Sequence, residues 1–429
     1  MANRKAYRIP FSGPSLNLHA LTGIDPVVYL NSNDSEKTSY LAFGSIKETL
    51  PGDGFDALKA FHASVEDWLF GYLSYDLKNR LESLHSCNPD RQGFQDLRFF
   101  QPEVVIQLGD GFLEAHYFPE HTEISKLQAI LQNLLDPTTD IDGPLPKVQF
   151  NPTISREEYI EAIQELKREI QYGNIYEANF CQEFHTTTEL KDPISLYHRL
   201  SDISPTPYSA YMHFHEHHLI CASPERFIQK KGNRILSQPI KGTIGRSSSE
   251  EKDRQLKKEL LSSAKDRNEN VMIVDLVRND LARTCISGTV KVEELFGIYS
   301  FPQVHQMIST ISGELKPNTH GLDALIQSYP MGSMTGAPKV KAMEIIEELE
   351  HFKRGLYSGS VGYLKPNGDY DFNVVIRSLF YQSETHALSF AVGGAITMKS
   401  DPQNEYEETL LKAKAIFELF QTDILDLQE

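Results

Sequence analysis

The chain has 429 residues, with 42 Lys and Arg against 59 Asp and Glu, which gives a formal net charge of −17. This length suits one large domain or two to three ordinary ones, and a hydrophobic fraction of 40% is typical of a globular protein. So acidic a surface repels phosphate backbones, membranes and anionic small molecules. We therefore expect no nucleic-acid or membrane partner, and an anionic ligand would need a local metal ion or arginine.

The basic start of the chain is not followed by an apolar stretch, which argues against a signal peptide. No segment approaches the roughly 20 apolar residues of a membrane-spanning helix. The cysteines lie far apart and form no C-x-x-C pair: Cys87, Cys181, Cys221 and Cys285. Reduced thiols and a cytoplasmic location are therefore expected.

In chain order, the first part shows short alternating apolar runs typical of strands, and a stretch of Pro, Gly, Asp and Thr between about residues 136 and 152 predicts a surface connection. A capping box of Ser155 with Glu158 then predicts a helix that ends near Gly173. Further predicted elements are strands at 174–184, 208–214 and 219–222, and helices after Ser248 and at 265–277, 338–349 and 405–420. Strands that do not alternate regularly with helices indicate sheets covered by helices, in the α/β class.

Two residues suggest covalent or acid–base chemistry. Lys241 stands between an apolar Pro-Ile pair and a Gly-Thr turn, at a strand end. Withdrawal from water favours its neutral amine, which is a nucleophile, although a surface lysine is the alternative. Glu225 follows a proline just past an apolar strand and could be a general acid, or it could form an ion pair with Arg226.

Three carboxylates suggest a metal site. Glu269 shares a face of a predicted helix with apolar side chains, where an unpaired carboxylate is costly. Glu405 and Glu408 are three residues apart and lie on one side of another predicted helix. Together they would form an oxygen-rich site suited to Mg²⁺, and the alternative is a solvated acidic surface.

Taken together, these segments resemble the chorismate-utilising enzymes, the family of anthranilate synthase component I and its relatives. The resemblance covers about residues 150 to 420 and includes further segments: Gly332 to Lys339, Tyr357 to Tyr363, Ile376 with Arg377, and Gly393 to Ile396. The resemblance implies two large antiparallel β-sheets packed face to face with helices outside. Residues 1–140 would be a strand-rich region integrated with a chorismate-binding catalytic domain at 150–425.

Within this family, the segment Pro239 to Thr243 resembles the branch that aminates chorismate to 4-amino-4-deoxychorismate, on the way to 4-aminobenzoate and folate. Anthranilate synthases carry alanine where Lys241 stands. Isochorismate and salicylate synthases carry a water-activating lysine where Glu177 stands. Anthranilate synthase component I, an isochorismate or salicylate synthase, and a non-catalytic chorismate-binding homologue are the alternatives.

The resemblance also implies roles for individual residues. Lys241 would attack ring carbon 2 while Glu225 protonates the departing hydroxyl of carbon 4, and ammonia would then add at carbon 4. Mg²⁺ would be held by Glu269 and Glu408, with Glu405 nearby. The substrate would be bound by Arg377, Tyr363, the backbone amides of Gly393 and Gly394, and less securely by Thr243 and Thr335.

None of the cysteines lies in a G-x-C-x-G setting, so the ammonia is expected to come from a separate glutamine amidotransferase subunit. The chain departs from the family pattern at Gln306, Ala395, Met331 and Glu177. Gln306 stands where the family has histidine, and His305 lies one position before it. Glu177 stands where close relatives have glutamine. The first 50 residues lack a clear tryptophan-feedback motif, so no inhibition by tryptophan is expected.

Overall fold

The structure is a computed structural model that describes residues 4–11, 13, 16–34, 37–109, 111–136 and 145–421. The strands described are β1 (Lys5–Pro10), β2 (Val27–Asn31), β3 (Ser39–Glu48), β4 (Leu69–Leu73), β5 (Leu97–Gly109), β6 (Phe112–Tyr117), β7 (Asn151–Pro152), β8 (Glu177–Thr187), β9 (Tyr208–Phe214), β10 (His217–Ser223), β11 (Arg226–Lys231), β12 (Arg234–Gln238), β13 (Ile240–Gly245), β14 (Lys291–Ser300), β15 (Val304–Glu314), β16 (Gly336–Ala337), β17 (Ser360–Leu364), β18 (Tyr370–Asn373), β19 (Ser378–Gln382) and β20 (Ala387–Ile396). The helices described are α1 (Phe55–Val65), α2 (Lys78–Leu81), α3 (Ile124–Leu134), α4 (Arg156–Tyr172), α5 (Pro193–Ile203), α6 (Glu250–Ser262), α7 (Ala264–Thr284), α8 (Gly321–Ser328), α9 (Lys339–Leu349) and α10 (Pro402–Phe420).

The strands form two antiparallel ladders. The first runs in the spatial order β1, β6, β5, β3, β2, β9, β10, β19, β20, β8. The second runs β4, β17, β18, β11, β12, β15, and β13 and β14 also pair with β15. The ladders join at β5, where Leu97 to Phe100 pair with β4 and Phe100 to Leu108 pair with β3.

Strands from the first 136 residues pair with strands from later in the chain. β2 lies beside β9 in the first ladder, and β4 lies beside β17 in the second. The N-terminal region therefore shares its sheets and its cores with the rest of the chain. The predicted connection between about 136 and 152 falls partly on residues 137–144, which lie outside the described residues.

Two hydrophobic cores hold these layers together. One core lies between the ladders, where Met212 and Leu219 of the first ladder meet Val361 and Phe372 of the second. The other core lies on the opposite face of the first ladder, covered by α3, α4, α5, α9 and α10. Successive residues of β2 divide between the two cores, as the two-residue period of a strand requires. This arrangement confirms the predicted class of packed antiparallel sheets with outer helices.

The start of α4 shows why local patterns predicted some elements well. The Ser155 hydroxyl accepts a hydrogen bond from the Glu158 N–H, and the Glu158 carboxylate accepts one from the Ser155 N–H. The helix ends at Gly173 in the left-handed conformation, as predicted. No helix in the described ranges is long and apolar enough to cross a membrane. The four cysteines are free thiols, and a cytoplasmic location stays a prediction.

Candidate active site

A cavity of about 140 Å³ gathers most of the side chains singled out in the sequence. Strands β13 and β20, helices α7 and α10, and the turn at 333–334 form its walls. Its charged lining residues are Glu225, Lys241, Lys265, Asp266, Glu269, Arg377, Glu408 and Lys412. Thr243, Gln306, Tyr357, Gly393, Gly394 and Ala395 also line it.

Lys241 is buried in the cavity wall, with 8% of its surface exposed, so it is not a surface lysine. Its Nζ donates to the Ser333 carbonyl at 3.2 Å and lies 3.2 Å from Oε1 of Glu177. Burial alone lowers the pKa of this amine, but the negative charges of Glu177, Glu269 and Glu225 outweigh burial and raise the pKa above its ordinary value. The expectation that burial favours the neutral amine is therefore wrong for this state of the protein, because sequence could not show the facing carboxylates.

Glu225 follows β10 and is buried beside Lys241 in the same cavity. Burial raises its pKa to about 7, against the opposing effects of the Ser333 hydroxyl and the Lys241 charge. The carboxyl group is therefore substantially protonated at neutral pH, as a general acid must be. The alternative ion pair with Arg226 does not form, because that guanidinium binds Asp371 with Nε 2.9 Å from Oδ1.

Of the three predicted metal ligands, Glu269 and Glu408 line the cavity, whereas Glu405 is buried behind Lys265 and is not part of the lining. Nζ of Lys265 lies 3.0 Å from Glu405 Oε1 and 3.7 Å from Glu408 Oε2, so an ammonium group pairs with both. Within the described ranges, no three acidic, His or Cys side chains are grouped closely enough to hold a metal ion. Lys265 therefore lies between Glu405 and Glu408, and the Mg²⁺ site stays a prediction.

Glu269 differs from the other two carboxylates. It projects from the buried face of α7 with 7% of its surface exposed, and its Oε1 has no hydrogen-bond partner in the part of the chain that the structure describes. Burial raises its pKa to about 7. An unpartnered buried carboxylate oxygen is costly, and a hard cation would satisfy it, so this residue fits the proposed Mg²⁺. The pKa of Glu408 is shifted in the other direction, because the positive charges of Lys412 and Lys265 lower it to about 2.

Arg377 provides the local cation that the acidic chain needs for an anionic ligand. It lies between β18 and β19 in the left-handed conformation, with φ of 53°, which is uncommon for a residue other than glycine. Among the described residues, no side chain pairs with its guanidinium group. Burial lowers its pKa to about 10, so it stays charged at neutral pH. Lys265 and Lys412, which the sequence did not single out, add two further cations to the cavity wall.

The structure does not bring Tyr363 to this cavity. Its ring packs on Tyr40 at 4.6 Å and on Trp68 at 5.7 Å between centroids, and it lines a separate cavity. Tyr357, at the start of the same motif, lines the candidate site, and its hydroxyl donates to Cys181 Sγ at 3.5 Å. The sequence marked the motif correctly but could not say which of its tyrosines faces the site.

Thr335 also lies outside the lining. Its fully buried hydroxyl donates to the carbonyls of Met331 at 3.2 Å and Gly332 at 3.3 Å, so it stabilises the turn that carries Ser333. Thr243 does face the cavity, from β13. The predicted substrate-binding role of Thr335 is corrected to a structural role in the turn.

Glycines allow the cavity walls to approach one another. A Cβ at Gly336 would lie 2.2 Å from the Glu177 carbonyl oxygen, and a Cβ at Gly393 would lie 2.3 Å from that of Phe180. Neither position can take a side chain without moving the backbone. β19 pairs with β20 only as far as Phe390, whereas β8 pairs with β20 as far as Ile396. In the described structure, the backbone amides of 391–396 that point away from β8 therefore have no partner strand.

Of the unusual residues, Gln306 replaces the family's histidine directly in the cavity lining. Its side-chain oxygen accepts no hydrogen bond from the described residues. His305 faces away, with Nε2 3.0 Å from Asp253 Oδ1 and Nδ1 3.0 Å from Ser300 Oγ. The adjacent histidine therefore does not take the place of the missing one.

A buried ion pair supports the cavity from behind. The guanidinium group of Arg354 donates to both carboxylate oxygens of Glu350, at 2.8 and 2.7 Å. It also donates to the carbonyls of Met334 at 2.7 Å and Asn179 at 2.8 Å, two residues that line the cavity. Glu350 in turn accepts from the backbone N–H of Cys181 at 2.8 Å.

Comparison with known proteins identifies the family to which this fold and cavity belong. The chain belongs to the family of chorismate binding enzymes, whose sequence profile matches residues 17–418.

Two curated relatives and one solved structure show the range of similarity. The chain is 36% identical over 410 residues to the chloroplastic aminodeoxychorismate synthase of Arabidopsis thaliana, covering 90% of this chain and 44% of that protein. It therefore spans less than half the length of that relative. It is 31% identical over 424 residues to aminodeoxychorismate synthase component 1 of Bacillus subtilis, covering 93% and 88% of the two chains. The crystal structure of anthranilate synthase component I from Streptococcus pneumoniae TIGR4 shares the fold, with a TM-score of 0.75, 24% identity and 96% and 92% coverage.

Proposed function

We propose that this protein aminates chorismate to 4-amino-4-deoxychorismate, in the route to 4-aminobenzoate and folate. The observation that carries this proposal is the placement of Lys241 and Glu225 in one cavity, a buried amine beside a carboxyl group whose pKa is about 7. The names of the Arabidopsis and Bacillus relatives support the same activity.

The cavity suits a small dianion. Arg377 offers a fork of N–H donors to one carboxylate of chorismate, and Thr243 and the backbone around Gly393 and Gly394 lie on the same wall. Glu269 and Glu408 would hold Mg²⁺, with Glu405 beside them. When bound, this ion would neutralise the other carboxylate of the substrate. The net charge of −17 thus does not exclude an anionic substrate, because four cationic side chains line the cavity and match its four acidic ones in number.

In the proposed reaction, the neutral amine of Lys241 forms a bond to ring carbon 2. Both ring double bonds shift, the bond between carbon 4 and its hydroxyl breaks, and Glu225 gives its proton to the departing oxygen, which leaves as water. Ammonia then bonds to carbon 4, both double bonds shift back, and the Lys241 amine leaves carbon 2. Glu225 takes a proton from the new ammonium group and returns to its acid form.

The ammonia would come from a separate glutamine amidotransferase subunit. Free ammonia is mostly protonated at neutral pH and is therefore a poor donor at low concentration. The component 1 name of the Bacillus relative supports a partner subunit.

The alternatives predict different products from one incubation. Purified protein is incubated with chorismate, Mg²⁺ and ammonium at raised pH, and the products are separated and identified by mass spectrometry. The proposal predicts aminodeoxychorismate, which keeps its enolpyruvyl group. Anthranilate would indicate an anthranilate synthase, isochorismate or salicylate would indicate attack by water, and no turnover would indicate a non-catalytic binding protein.

A further inference from the structure

The lysine route has an unmet requirement in this structure. Lys241 must be neutral to attack a ring carbon, yet the surrounding carboxylates favour its ammonium form. Lys241 lines the cavity with 8% of its surface exposed, so a carboxylate already in contact with the ammonium group is the nearest acceptor for its proton. This requirement follows only if the proposed function holds, because another chemistry would not need the amine.

We propose that Glu177 is a further catalytic residue, the internal base that takes the proton from Lys241 before attack and returns it after the amine leaves. Its Oε1 lies 3.2 Å from Nζ of Lys241, within reach for direct proton transfer. Glu177 projects from the start of β8 and is 0% exposed.

The surroundings of Glu177 favour this role. Apart from the nearby Lys241 ammonium group, neither of its carboxylate oxygens has a hydrogen-bond donor among the described residues. Transfer of the proton within the pair gives a neutral amine and a neutral acid. Two charges that burial penalises thereby disappear.

The other groups that face Lys241 have different proposed roles and are not available to accept its proton. Glu225 must hold its own proton to protonate the leaving hydroxyl, and Glu269 from α7 is the proposed metal ligand. The Ser333 carbonyl from the turn accepts a hydrogen bond from Nζ but cannot take the proton. Lys265 and Arg377 add positive charge nearby and oppose the ammonium form.

The position of Glu177 is fixed by the backbone around it. Ala337 of β16 pairs with Glu177, and the neighbouring Tyr176 N–H donates to the Ala337 carbonyl at 2.7 Å. Gly336 brings this turn so close that a Cβ would collide with the Glu177 carbonyl. The turn that carries Ser333 therefore also holds the start of β8 against Lys241.

The protons balance over the cycle. Lys241 ammonium and Glu177 carboxylate become amine and acid, and the amine bonds to carbon 2 as a secondary ammonium. When that bond breaks, the departing neutral amine regains its third proton from Glu177. Glu225 separately loses its proton to the leaving water and recovers one from the added ammonia.

The test measures the first half of the reaction. Wild-type and Glu177→Gln proteins are mixed with Mg²⁺ and chorismate without ammonia between pH 5.5 and 7 and quenched at intervals. The adduct at Lys241, which has the mass of chorismate less one water, is quantified by peptide mass spectrometry. Glu183→Gln is the matched control, because it removes another buried carboxylate from β8 that pairs with Arg91 instead.

We expect wild type and Glu183→Gln to form the adduct at similar rates and with the same pH dependence, which includes the titration of Glu269 with a pKa of about 7. Glu177→Gln should be slower by roughly 10²-fold or more, the usual contribution of a general base, and its rate should rise about tenfold per pH unit. Glu177→Asp keeps a carboxylate on a shorter side chain and should be slowed without gaining that pH dependence. Chorismate binding measured by calorimetry should persist in every variant.

Two results would overturn the inference. A Glu177→Gln protein that forms the adduct as fast as wild type, or faster, would show that Glu177 only holds the lysine charged. If wild type aminates chorismate without forming an adduct at Lys241, then Lys241 is not the nucleophile and Glu177 has no base role. Wild type that neither aminates chorismate nor forms an adduct would instead refute the proposed function itself.

Discussion

Replacing Arg354 by methionine tests whether the buried ion pair behind the cavity supports the site. The side chain is 2% exposed and donates five hydrogen bonds, to both carboxylate oxygens of Glu350, two carbonyls and the Ser358 hydroxyl. In the Arg354→Met variant the Glu350 carboxylate stays buried with only the Cys181 N–H as a donor among these contacts. Loss of one partner from a buried pair costs about 3–5 kcal/mol, so we expect a loss of stability in that range.

The loss should depend on pH. Burial raises the pKa of Glu350, and the Arg354 charge opposes that effect. Without the arginine the pKa rises further, so the acid form is favoured in the folded protein. Stability then falls as pH rises from the unfolded pKa towards the raised folded pKa, and the variant should lose less stability at pH 5 than at pH 8.

Urea unfolding followed by circular dichroism at both pH values measures this loss. The double variant Arg354→Met with Glu350→Gln leaves no charge at either position and should recover much of the stability that the single variant loses. Because Met334 and Asn179 line the cavity, the single variant should also bind chorismate more weakly. A loss below about 1 kcal/mol, typical of an exposed pair, with no pH dependence would refute the reasoning.

Four further predictions concern the cavity. Glu225→Gln should slow adduct formation by roughly 10²–10⁴-fold with chorismate binding retained. Because the pKa of Glu225 is about 7, the wild-type rate of adduct formation should fall as pH rises above 7. Quenched mass spectrometry measures both rates, and a wild-type rate that stays level to pH 9 would contradict the role of Glu225 as the general acid. Arg377→Lys should raise KM for chorismate by roughly 10–150-fold, the value of a lost charged hydrogen bond, in steady-state assays. Tyr363→Phe should leave kcat and KM unchanged in the same assays, whereas altered kinetics would place this tyrosine at the site after all. Chelation with EDTA should abolish amination, and added Mg²⁺ should restore it. Activity that survives dialysis against the chelator would show that the reaction does not need a metal ion.

Much of the architecture could be predicted because its causes are local. The capping box at Ser155 and the glycine at Gly173 fix the ends of α4 within a few residues of sequence. The burial of Glu225 could be predicted in the same way, because this residue lies just past an apolar strand.

The errors came from contacts between distant segments. Tyr357 and Tyr363 belong to one motif, and the path of the chain from the cavity into β17 decides which of them faces the site. The ion pairs of Lys241 with Glu177 and of Lys265 with Glu405 join parts of the chain that only the fold brings together. The pKa of Lys241 is raised by Glu177, Glu269 and Glu225, so sequence could predict the burial of this lysine but not its charge.

The most direct test of the central claim is the position of nitrogen in the product. Wild-type and Lys241→Ala proteins are supplied with chorismate, Mg²⁺ and ¹⁵N-labelled ammonium, and the product is examined by nuclear magnetic resonance. The account predicts ¹⁵N bonded to ring carbon 4 with wild type and no aminated product with Lys241→Ala. Label on carbon 2, or amination at carbon 4 that survives in Lys241→Ala without an added amine, would contradict it.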